Sequence, residues 1–213
     1  MKTEQKSNDM LPEVADYYSA KLQEHGQTPL GVDWNGTESQ MVRFTQLLRV
    51  IDDNETFSMN DIGCGYGALL ETLAERHKTF TYHGNDISPN MVAAAKQRFG
   101  NHANAQFSVS NQPHSPADYS VASGIFNVRF ANSDKEWTQY IHQTLTMMNE
   151  TSSRGFSFNC LTSYSDSEKM RQDLFYANPC QLFDYCKRNF SKQVALLHDY
   201  GLYEFTILVR KET

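Results

Sequence analysis

The chain has 213 residues, 39% of them apolar and 21% charged, with a net charge of −6. That is the balance of one ordinary globular domain able to bury roughly 70% of its unfolded surface, not of a disordered chain. The acidic balance repels phosphate backbones, so nucleic acid is not an expected partner. The longest apolar run, Met91–Ala95, has five residues, where a membrane helix needs ~20, so no membrane partner is expected either.

The opening Met1-Lys2-Thr3-Glu4-Gln5-Lys6 is polar, without the apolar core of a signal peptide, which gives a cytoplasmic expectation. Cys64, Cys160, Cys180 and Cys186 form no C-x-x-C pair and no zinc spacing, so free thiols and no metal are expected. Residues 1–10 read as a flexible tail and 11–213 as one domain, with 11–52 a helical cap and 53–213 the core.

From Pro12 to His25, the residues Val14, Tyr17, Tyr18 and Leu22 recur near helical spacing, and Gly26 supplies a stop. A turn-rich loop through Pro29, Gly31, Trp34 and Gly36 follows. Thr37 and Gln40 then read as a capping box for a helix carrying Met41, Phe44, Leu48 and Ile51 on one face.

Strand and helix signals alternate beyond that point. Phe57–Ile62 reads as a strand ending in glycines, Ala68–Arg76 as a helix, and Thr79–Ile87 as a second strand. Ser88 and Pro89 open a helix that Gly100 closes. Gln106–Ser110 and Tyr119–Phe126 are the next strands. Ser133 and Glu136 cap a helix carrying Trp137, Tyr140, Ile141, Leu145 and Met148, and Gly155–Leu161 alternates as a strand. Helices over 166–177 and after Pro179 precede the strands Val194–His198 and Tyr203–Arg210. The connection between these last two is too short for a parallel crossover. The pattern predicts an α/β fold with a single doubly wound, mostly parallel seven-stranded sheet, an antiparallel last strand and an N-terminal helical cap.

In such a sheet ligands sit beyond the carboxyl ends of the strands. There the segment Asp61-Ile62-Gly63-Cys64-Gly65-Tyr66-Gly67 joins a strand to its helix, and Asp86 ends the next strand. Glycines permit a tight turn and close approach of a ligand, although the same turn also serves without one. A carboxylate at Asp86 can accept both hydroxyls of a ribose, or be a plain turn aspartate. Gly63-x-Gly65-x-x-Ala68 satisfies the dinucleotide fingerprint, so an NAD-dependent enzyme is one alternative. Asp61 weighs against it, because a pyrophosphate at the helix start would face a like charge. S-adenosylmethionine has no phosphate and carries an ammonium and a sulfonium, which a carboxylate attracts.

Three stretches, residues 60–67, 84–88 and 118–126, resemble in order and spacing the class I S-adenosylmethionine-dependent methyltransferase superfamily, particularly its small-molecule members. The resemblance covers roughly residues 37–210. It implies S-adenosyl-L-methionine as cofactor and methyl transfer to a small molecule. Its implied cofactor set is Asp61, Gly63, Cys64 and Gly65 at the methionyl portion, Asp86 at the ribose, Ile87 on the adenine, and Phe126 in the third stretch. Asn111 stands where the family often has an Asp bonding the adenine amino group, and otherwise reads as a turn residue. The stretch from Tyr17 to Phe44 resembles a lid, in which Arg43 would meet the methionyl carboxylate or be a solvated helix charge. Trp34 would close over the site or anchor the cap helices.

For the acceptor, His25, Trp34, Asn127 and Tyr164 are candidates by position, each with a structural alternative, and no catalytic base is assigned. Phe175 and Tyr176 are a further aromatic pair for a pocket wall or a helix core. Ile125-Phe126-Asn127-Val128-Arg129 differs from the Asn/Asp-Pro-Pro-Tyr-like motif of nucleic-acid amino methyltransferases. A catalytically silent partner protein that keeps the cofactor fold is the remaining alternative. Neither the acceptor nor the oligomeric state follows from the sequence.

Overall fold

The computed structural model describes residues 2–52 and 56–212, with side chains from Leu11 onward. The expected start of the core at residue 53 therefore lies outside the described residues. Helix α1 (Lys2–His25) contains Pro12 and begins ahead of it, so the backbone of residues 2–10 continues the helix whose signal starts at Pro12. A 3-10 turn (Pro29–Val32) leads to α2 (Thr37–Leu48). Then come β1 (Phe57–Ile62), α3 (Ala68–Arg76), β2 (Phe80–Asp86), α4 (Pro89–Phe99), β3 (Ala105–Val109) and β4 (Ala117–Ala122). The chain closes with α5 (Asp134–Glu150), β5 (Ser152–Leu161), α6 (Pro179–Asn189), β6 (Gln193–Leu197) and β7 (Glu204–Arg210).

The seven strands form one sheet in the order β3-β2-β1-β4-β5-β7-β6. The pairs β3–β2–β1–β4–β5 are parallel, and β7 runs antiparallel to both β5 and β6. Side-chain alternation buries both faces. Phe156, Phe158 and Cys160 of β5 join Trp137, Ile141 and Leu145 of α5 on one face. Leu69, Leu70 and Leu73 of α3 pack with Phe44 and Leu48 of α2, Val92 of α4 and Tyr82 on the other. Strand order reverses between β1 and β4, which places a crevice at their carboxyl ends.

Local chemistry sets the helix starts. The Ser88 hydroxyl accepts from the Met91 amide at 3.2 Å, with Pro89 in the first turn. Ser133 and Glu136 make the expected capping box. Asn178 caps α6 in the same way, accepting from the amides of Cys180 and Gln181.

Three expectations are corrected. The Thr37–Gln40 capping box is absent, because Gly36 is the N-cap and the Gln40 amide instead meets the Tyr66 hydroxyl at 3.3 Å. The helix over 166–177 is also absent. A single 3-10 turn (Ser167–Lys169) is followed by an extended strap. The strap's backbone finds its partners far along the chain: the Asp173 carbonyl accepts from the amides of Arg129 and Phe130, the Phe175 amide donates to the Asn127 carbonyl, and Ala177 and Leu161 pair. These bonds, with a bridge between Val128 and Leu174, override the helical spacing. Strand β4 stops at Ala122, so Ser123–Phe126 is loop.

Candidate functional site

The crevice holds a cavity built from the ends of β1, β2 and β4 and roofed by α1 and the loop after it. After Ile62 the chain turns sharply. The amides of Gly63 and Cys64 both donate to the Asn85 carbonyl, at 2.7 and 3.0 Å, which ties the turn to β2. Gly63 has φ +72°, and a Cβ there would lie 2.2 Å from the Ile125 Cγ2, so both backbone and space demand glycine. Asp86 then orders the loop: its carboxylate accepts from the Gly65 amide at 2.9 Å and the Ser88 amide at 2.8 Å. Burial raises the Asp86 pKa against those bonds.

Asp61 is 2% exposed and accepts a short hydrogen bond from the Tyr82 hydroxyl. Burial pushes its pKa up to about 7, with the nearby Asp86 charge adding to the shift. Burial likewise holds the Cys64 thiol well above its usual range, so it is no nucleophile. The cavity wall includes Asp61, Gly63, Cys64, Gly65, Asp86, Ile87 and Asn111, which are seven of the nine residues expected at the cofactor.

The other two stand elsewhere. Phe126 is buried in the core against Phe158 and Tyr140, and its neighbour Ile125 takes the cavity wall instead. Arg43 is neither solvated nor on this wall. Its Nε and Nη2 donate to both oxygens of Glu204 at 2.8 and 2.9 Å, and Asn159 donates to Glu204 at 2.9 Å. The Arg43 guanidinium stacks on the Trp34 ring at 3.8 Å. Trp34 lies on Gly124, where a Cβ would come within 2.5 Å of the ring; the Gly124 amide donates to Asn159 at 2.7 Å. Glycine in the loop after β4 is thus the seat of the tryptophan.

Trp34 separates the first cavity from a second, of about 490 Å³, lined by Arg43, Asn127, Lys169, Arg171, Tyr176 and Glu204 among others. Tyr18, Val32 and Trp34 line both. Asn127 is on the second wall, where its side-chain oxygen accepts from the Leu161 amide at 3.1 Å and fixes the loop after β4. Of the aromatic pair, Tyr176 is on this wall and Phe175 packs against the core. His25, beside Glu24 at the end of α1, and Tyr164, 67% exposed beside His198, line neither cavity.

Sequence reasoning missed Gln40, Tyr66, Met91, Trp137 and Tyr140 on the first wall, and Lys169 and Arg171 on the second. Trp137 and Tyr140 carry a helical-face signal that is the same for core and cavity. Lys169 and Arg171 fall within the expected helix over 166–177, which does not form.

The first cavity presents two carboxylates and no Lys or Arg among its lining residues. This donor set fits a ligand carrying an ammonium and a sulfonium and leaves a pyrophosphate without a counter-charge. No group of His, Cys, Asp and Glu among the described residues could hold a metal ion, and none of their helices is long and apolar enough to cross a membrane.

Comparisons with known proteins agree with this chemistry. The family described as "Methyltransferase domain" matches residues 60–150. "Putative methyltransferase Rv1506c" of Mycobacterium tuberculosis is 61% identical over 164 residues, 77% of this chain and 99% of that one. Two solved structures share the fold. One is the N-methyltransferase NodS of Bradyrhizobium japonicum with S-adenosylhomocysteine (TM-score 0.65, 16% identity, covering 93% of this chain and 98% of that one). The other is a complex of DhpI with S-adenosylmethionine (TM-score 0.67, 14% identity, covering 95% and 98%). The chain belongs to the class I S-adenosylmethionine-dependent methyltransferases.

Proposed function

We propose that this methyltransferase acts on a small organic molecule held in the second cavity. The observation that carries this is the pair of adjoining cavities, one with a carboxylate wall and one of about 490 Å³ beyond Trp34. S-adenosylmethionine, when bound, supplies a methyl carbon on a positively charged sulfur. The chain's own work is to bind, orient and exclude water.

In this reading Asp86 accepts the ribose hydroxyls with the lone pairs its backbone bonds leave free. Ile87 packs on the adenine, and Asn111 lies at the adenine end. The amides of the glycine loop and the Asp61 carboxylate face the methionyl portion. Arg43 lies across Trp34, so it orders the partition between the sites through Trp34 and Glu204. The α1–α2 cap brings Tyr18 and Trp34 over the crevice and shields the reacting carbon from water. His25 and Tyr164 are left without a part.

Incubation with methyl-labelled S-adenosylmethionine and a cell extract tests the acceptor class. Label is expected in the low-mass fraction; label confined to RNA or protein would contradict the proposal.

Asp61 adds a pH dependence. A bound ammonium favours its carboxylate, so the complex holds fewer protons than the free protein below about pH 7. Affinity for S-adenosylhomocysteine is therefore expected to rise with pH, about tenfold between pH 6 and pH 8, and then to level off. Calorimetry across that range checks it, and Asp61→Asn should flatten the profile.

A further inference from the structure

We propose that the second cavity takes its acceptor by a carboxylate group, held between Arg43 and Arg171. This rests on reading that cavity as the acceptor site. The two cavities differ in the basic side chains they present. The first has Asp61 and Asp86 with no basic side chain, whereas the second has Arg43, Lys169 and Arg171 against Asp33 and Glu204. A cation belongs in the first, and only the second offers basic donors to an anion.

Arg43, which lines the second wall, also carries an uncompleted donor. Arg43 is 6% exposed; its Nε and Nη2 are spent on Glu204, and Nη1 has no hydrogen-bond partner among the described residues. A buried guanidinium N–H without an acceptor is costly, so a ligand oxygen there is favoured. Stacking on Trp34 and the two bonds to Glu204 fix the plane of the guanidinium, so the donor is oriented before a ligand arrives.

Arg171 approaches from the strap. Its Nε and Nη2 hold Asp173 and its Nη1 lies 3.5 Å from Asp33. Asp33 is itself shared with Lys21 at 3.2 Å and the Tyr17 hydroxyl at 2.9 Å. Lys169 sits at the mouth, held by Asp166 and Tyr203. With the ion-pair partners Lys21, Asp166 and Asp173 counted, the groups around this wall carry four positive and four negative charges, so what the wall offers an acceptor is the open Arg43 donor rather than a net charge. A singly charged carboxylate brings the least negative charge to that donor, whereas a phosphate dianion would set a second negative charge beside Glu204 and Asp33.

The test uses the full chain saturated with S-adenosylhomocysteine, so that the cofactor's own carboxylate is already placed. Thermal unfolding and calorimetry are followed with a panel of aliphatic and aromatic mono-, di- and tricarboxylic acids, their amides, and inorganic phosphate. At about tenfold excess over its Kd, at least one acid is expected to raise Tm by about 3–6 °C, with no shift from its amide. Arg171→Gln should weaken that acid at least ~10-fold while leaving S-adenosylhomocysteine affinity unchanged. Acids that do not bind, amides or phosphate that bind as well, or an Arg171→Gln protein that binds the acid like the wild type would each overturn the proposal. Label in the low-mass fraction without acid binding sinks this inference alone. Acid binding with label only in RNA or protein supports the carboxylate site and sinks the acceptor reading.

Discussion

Replacing Asp86 by Ala is expected to weaken S-adenosylhomocysteine about 10²–10⁴-fold, as measured by calorimetry, with the circular dichroism of a folded chain retained. In the proposed binding mode two ribose hydroxyl-to-carboxylate hydrogen bonds are lost, each worth about 1.5–3 kcal/mol. The same change frees the amides of Gly65 and Ser88, which loosens the loop that faces the ligand. Asp86 lines a cavity, so water can take the place of its oxygens. Its burial raises its pKa, which means the folded chain already bears a cost for that charge. Both effects limit the loss of stability. An unchanged affinity would show that the ribose lies elsewhere.

Arg43→Met should have the largest effect on folding. Glu204 is 1% exposed and would keep only Asn159 as a partner. Breaking a buried ion pair from one side costs about 3–5 kcal/mol, because the surviving charge stays buried. At roughly 2–4 °C per kcal/mol for a chain of this size, Tm is expected to fall by about 6–20 °C. Adding Glu204→Gln removes the stranded charge while keeping an acceptor for Asn159, so the double variant should recover most of the loss. If the two substitutions were additive instead, the pair would not be the unit described above. Because Asn159 also holds the Gly124 amide beneath Trp34, the single variant loosens the partition between the cavities as well.

Where the sequence was legible, the signal was local. Ala68–Arg76 and Phe57–Ile62 have the expected bounds, since Gly63, Gly65 and Gly67 mark the junction between them and each has a clean period. The Ser88 and Ser133 caps are visible because a cap needs only its own turn. The glycine loop and Asp86 could be read for the same reason, as turn chemistry at a strand end. Thr37–Gln40 carries an equally good capping pattern, yet Gln40 turns to Tyr66, a partner 26 residues away. Asp173 and Phe175 bond to the loop after β4, a pairing no local window contains. Arg43 is the clearest case: a charge on a helix face reads as solvated until β7, 161 residues on, delivers Glu204. The second cavity is made of such distant encounters, which is why its basic wall left no mark in the sequence.

On the proposed reading, two carboxylates and a glycine turn select a positively charged adenosyl ligand over a diphosphate. Titration of the purified chain at pH 8 with S-adenosylmethionine and, separately, with NADH tests it most directly. Saturable heat with the first and none with the second is the predicted result. Binding of NADH that S-adenosylmethionine fails to displace would contradict it.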